Sequence, residues 1–129
     1  MTVTGTGVAF GAYDAATPTA ATANGTVTIK CSSGLDIAPS FVVALSTGGS
    51  GGYSSRQMSL GAARLNYNIY TAGDYATIWG DGTSGTATQS YSSLLLFSTV
   101  NFNAFGRIPV SQYVTAGGYT DTITVTVTF

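Results

Sequence analysis

The sequence predicts an all-β sandwich of about six to seven short strands. Three observations carry that prediction: apolar residues recur with a period of two, turn-forming clusters separate the periodic stretches, and no segment has a convincing helical pattern. The clearest stretch is the last, where Ile123, Val125, Val127 and Phe129 alternate with Thr122, Thr124, Thr126 and Thr128. Such a strand has one oily face and one hydroxyl face, and its backbone needs a neighbour on both edges. The expected neighbours are an earlier segment or another molecule.

The other strands follow in order. Val3 to Tyr13 reads as a strand with a bend, since Val8, Phe10 and Ala12 alternate while Gly5, Gly7 and Gly11 loosen it. Asp14 to Asn24 has no period and holds Pro18, so a loop is expected. Gly25 to Cys31 puts Val27, Ile29 and Cys31 on one face of a second strand. Phe41 to Leu45 is apolar on both sides and reads as a central strand covered on both faces. Tyr53 to Leu60 is an edge strand, Leu65 to Tyr70 a further strand, and Tyr75 to Trp79 a shorter candidate ending on the turn signal Gly80-Asp-Gly82. Tyr91 to Arg107 is dense in large apolar residues without one clean period.

At 129 residues the chain has the length of a single domain, 1–129. Only 7% of residues are charged, four Lys+Arg against five Asp, with no Glu or His. This near-neutral surface gives no electrostatic reason to bind nucleic acid, and no apolar run is long enough for membrane insertion as a helix. Lacking His and Glu, the chain has neither the usual general base nor the commonest metal ligand. No catalytic residue, cofactor site or metal site is therefore expected. Asp81 between Gly80 and Gly82 reads as a tight turn rather than a calcium loop, because no alternating oxygen ligands follow it. Paired Asp residues would suit a glycosidase in principle, but all five sit in or beside turn-like segments. Eight Tyr and one Trp leave open a carbohydrate-binding module that stacks sugars on surface rings, although Tyr67 and Trp79 fit a core better. Cys31, without a His partner, reads as a small buried hydrophobe. Low charge with abundant Thr, Ser, Gly and Tyr suits an exported, protease-resistant β protein.

The ordered set Val8-Ala-Phe-Gly-Ala-Tyr13, Gly25-Thr-Val-Thr-Ile-Lys-Cys31, Arg56-Gln-Met58, Leu65-Asn-Tyr-Asn-Ile-Tyr70, Trp79-Gly-Asp-Gly82, Phe105-Gly-Arg-Ile-Pro109 and Gly118 to Phe129 resembles the spore coat protein U family, which includes subunits of archaic chaperone–usher pili. The resemblance implies an incomplete immunoglobulin-like β-sandwich, secreted to the periplasm and carried to the cell surface or a fimbrium. It would be completed there by donor-strand complementation, the strand coming from a periplasmic chaperone and then from a neighbouring pilin subunit, so that a homo-oligomer or fibre results. Val8 and Phe10 would form one wall of the groove, and Ile123, Val125, Val127 and Phe129 the other. The resemblance also implies a Cys near Met1 bridged to Cys31 and a donor segment upstream. Neither is in this sequence, so a tip-type subunit, an excised domain or a chain deprived of its donor is expected. Leu94, Leu95, Leu96 and Phe97 are the candidate adhesive loop, as in tip subunits of similar pili; the other reading is that they cover one end of the core.

Overall fold

The structure, a computed structural model, describes residues 2–16, 18–30, 40–92 and 99–128. Among them, eight strands form and all pair antiparallel. β1 (Thr2–Thr6), β2 (Ala21–Lys30), β7 (Thr99–Ile108), β5 (Ala63–Tyr70) and β4 (Arg56–Leu60) make a five-stranded sheet in the order β1-β2-β7-β5-β4. β6 (Gln89–Ser92), β3 (Ser40–Leu45) and β8 (Val125–Thr128) make a second sheet in the order β6-β3-β8. The two sheets pack their apolar faces together. Period-two patterning sets which side chains face in: Val27 and Ile29 from β2, Leu65, Tyr67 and Ile69 from β5, and Phe41, Val43 and Leu45 from β3 are all buried.

Sequence and structure differ at several places. The N-terminal strand stops at Thr6, paired with Thr26, and residues 7–12 leave the sheet edge. Residues 21–24, expected in a loop, begin β2, because unbroken pairing from Ala21 with Ile108 to Lys30 with Thr99 overrides the weak strand preference of Ala and Asn. The irregular apolar stretch contains β7, whose inner face carries Phe102, Ala104 and Ile108; its period was hidden by Phe105, which lies on the outer face opposite Tyr70. Tyr75 to Trp79 makes only single bridges, Tyr70 with Ile78 and Trp79 with Ala87. In addition, β3 is central in its sheet but covered on one face only, since Val42 is 39% exposed.

Two polar devices lock the sheets together. The indole N–H of Trp79, which is wholly buried, donates to the Val43 carbonyl at 3.0 Å. Arg56 is also wholly buried. Its Nε and Nη2 donate to the Ser46 carbonyl at 3.1 and 2.7 Å, Nη2 also reaches the Trp79 carbonyl at 2.7 Å, and Nη1 reaches Asn68 Oδ1 at 2.9 Å. The guanidinium lies 5.2 Å from the centre of the Tyr53 ring. These acceptors, two carbonyls and one amide oxygen, are neutral, and burial pulls the guanidinium below its ordinary value while leaving it charged. A rigid fork of five donors suits this site, since it joins β4 of one sheet to the end of β3 in the other.

Replacing Arg56 by Met should lower the unfolding free energy by about 3 kcal/mol, because the Ser46 and Trp79 carbonyls lose their side-chain donor and Asn68 Oδ1 keeps only the Ile69 N–H. Arg56→Lys should recover only part of that, since one ammonium cannot span the same acceptors. Urea denaturation of both variants measures the difference.

Candidate functional site

The smaller sheet does not cover the whole inner face of the larger one. The uncovered part is a cleft of about 600 Å³. Its floor comes from Val27, Ala104, Ile69, Tyr67 and Met58 of the five-stranded sheet. Seven consecutive residues, Gly5–Gly11, form one wall, and Gly118–Asp121 with Ile123 and Val125 form the other.

Local sequence explains both walls. Residues 7–11 pass inward because the sheet beneath them is paved with small side chains: Gly25 pairs with Ala104, and Ala23 with Gly106. A Cβ at Gly106 would stand 2.5 Å from Val8 Cγ1 and 2.7 Å from Phe10 Cζ, and one at Gly25 would stand 2.5 Å from the Thr6 carbonyl oxygen. Glycine in a strand interior marks such a close approach. Val8 and Phe10 thus lie half-buried over the pavement, with the Phe10 ring edge-on to Tyr67 at 6.2 Å. Among the described residues, no backbone hydrogen bond reaches residues 8–12.

The opposite wall changes sheets. Thr120 exchanges backbone bonds with Ser59 at 2.8 and 3.0 Å, beside β4; Ser46 then donates to the Thr124 carbonyl at 3.0 Å, and β8 continues along β3 with Val125 opposite Leu45. On its other edge β8 has no strand among the described residues. Along this wall Tyr119, Asp121, Ile123, Val125 and Val127 are the buried or half-buried set, while the threonines between them are exposed.

Val8, Phe10, Ile123 and Val125 therefore line one cleft. Val127 continues the same row opposite Val43, beyond the cleft lining. Phe129, Cys31 and the candidate adhesive residues Leu94, Leu95, Leu96 and Phe97 lie outside the described residues. Asp121 was missed by the sequence reading, although counting back by two from Ile123 reaches it. Its Oδ1 accepts from the backbone N–H groups of Gly49 and Thr122, both at 2.9 Å, and its Oδ2 from the Tyr67 hydroxyl at 2.6 Å. The sugar-stacking reading gains little: Trp79 and Tyr67 are buried, and Tyr113, 86% exposed, is a single ring rather than a platform.

The fold and the cleft define a class: a two-sheet β-sandwich with an open apolar groove between two ribbons of chain. The chain belongs to the Spore Coat Protein U domain family, whose model matches residues 1–126. It is similar to a solved structure described as the CsuC–CsuE chaperone–tip adhesion subunit pre-assembly complex from archaic chaperone-usher Csu pili of Acinetobacter baumannii. The identity is 25% and the TM-score 0.53, over 85% of this chain and 34% of that one. This chain thus spans about a third of the length of the chain it matches. No curated protein matches it. The fold is all-β and immunoglobulin-like, as the resemblance implies.

Burial first, then the bond to Asp121 and its charge, pushes the Tyr67 hydroxyl above the ordinary tyrosine value of 10.0. The folded chain holds this proton more tightly than the unfolded chain. The resulting stability is therefore complete below pH 10.0 and is lost as pH rises toward the folded value. Tyr67→Phe should cost about 1.5–3 kcal/mol at neutral pH, the worth of a buried bond to a charged acceptor. Its unfolding free energy should also fall less steeply with alkali than that of the parent, which urea titrations on either side of pH 10.0 would read.

Proposed function

We propose that this chain is a structural, adhesive subunit of a secreted surface fibre or coat and does no chemistry. One observation carries the reading: an apolar groove flanked by two stretches of backbone, residues 8–12 and the outer edge of β8, that lack strand partners among the described residues. Open edges beside apolar surface are templates for pairing with another chain, and a strand laid in this groove would gain hydrogen bonds on both sides while its alternate side chains fill the cleft. Both the family and the pilus-complex neighbour support a pilus-subunit role. The partners in this reading are a periplasmic chaperone and then a neighbouring subunit, with transit through the periplasm to the cell surface. Among the described residues no helix is long and apolar enough to cross a membrane.

A synthetic strand with alternating apolar residues, added at 100 times its Kd, should raise the unfolding free energy by about 2.7 kcal/mol. Val125→Glu should abolish the response by placing a charge on the groove wall. A monodisperse monomer whose melting temperature ignores every such peptide would remove the donor-strand reading.

A further inference from the structure

The groove is apolar along most of its length and polar at one end. Counting by two along the C-terminal wall, Val125 and Ile123 are followed by Asp121, which faces Tyr67 on the floor. A strand inserted beside this wall also presents every second side chain to the interior. One of its inward positions therefore meets a carboxylate where its neighbours meet aliphatic groups.

Among the described residues, the hydrogen bonds of that carboxylate fall short of its capacity. Two carboxylate oxygens offer about four acceptor sites. Three are taken, two on Oδ1 by the Gly49 and Thr122 N–H groups and one on Oδ2 by the Tyr67 hydroxyl. Among the described residues no second donor reaches Oδ2, and Arg56, the buried cation of this region, spends its donors on the Ser46 and Trp79 carbonyls and Asn68. In the open groove water can serve the remaining site. A strand that fills the groove expels that water, and an apolar side chain there would leave a charged acceptor desolvated and short of a partner.

We propose that Asp121 and Tyr67 form a polar specificity subsite, and that the complementary strand from a neighbouring subunit carries a hydrogen-bond donor, such as a threonine, serine or lysine side chain, at the terminal inward position of an otherwise apolar row. This rests on the donor-strand reading and adds to it the chemistry and register of the occupant. Three hydrogen bonds hold the carboxylate in place, so the subsite is preorganised and discriminates by position as well as by polarity.

The test uses peptides identical except at one place: an all-Val inward row, and two isomers with Thr replacing Val at its first or its last inward position. Thr and Val share a shape and differ by the hydroxyl. The subsite requires that one isomer bind about tenfold more tightly than the all-Val strand in a fluorescence titration; the better isomer also reports the direction of the strand. Asp121→Asn should collapse that ratio toward one, a readout that a uniform loss of stability leaves unmoved. Equal binding of all three peptides, or preference for the all-Val strand, overturns the subsite while keeping the groove. An unchanged ratio in Asp121→Asn overturns the assignment to Asp121. Failure of every peptide to bind overturns the groove reading and the subsite with it.

Discussion

The structure depends on a seam where two sheets approach each other, among the described residues, without a strand between them. Each sheet solves its own hydrogen bonding internally up to the point where the ribbon of residues 8–12 and the edge of β8 face one another. Backbone groups on such ribbons rely on water, while the side chains beneath them are aliphatic and aromatic. These demands conflict: water satisfies the backbone and opposes the apolar floor. In the proposed reading an extended chain resolves both at once, by pairing with the backbone ribbons and covering the apolar floor.

The closed side of the sandwich is built to tolerate the open one. Arg56 and Trp79 fasten the two sheets through main-chain carbonyls at Ser46, Trp79 and Val43, so those contacts do not depend on whether the seam is filled. The aromatic cluster of Phe41, Tyr91, Phe102 and Trp79 adds area burial around the same end of the core, with ring centres 5.6 to 6.3 Å apart. No buried side-chain polar atom among the described residues is left without a partner. A satisfied polar network specifies one arrangement of the sheets, because any slip would leave several donors or acceptors buried alone.

Glycine performs the opposite task at the seam. Gly25 and Gly106 forgo side-chain burial so that Val8 and Phe10 can settle on the sheet, which brings the N-terminal ribbon over the inner face instead of along the edge. Valine at either position would push the ribbon outward and change the width of the cleft. The groove is therefore defined as much by side chains that are missing as by those that line it.

The sequence by itself determined the fold class and the inward faces. Period-two alternation is a local property, so Val27 and Ile29, Leu65 to Ile69, and Ile123 to Val127 could be assigned to faces without knowing their partners. It also pointed to both walls of the groove through Val8, Phe10, Ile123 and Val125, with the family resemblance supplying the reason to pair them. Only the tertiary structure decided strand order, the early end of β1, the start of β2 at Ala21 and the convergence of Tyr67 with Asp121, 54 residues away. Pairing and hydrogen bonds between distant residues leave no periodic trace in either segment, and a single carboxylate in a threonine-rich stretch looks like solvated surface until the sheet opposite brings a hydroxyl within 2.6 Å of it.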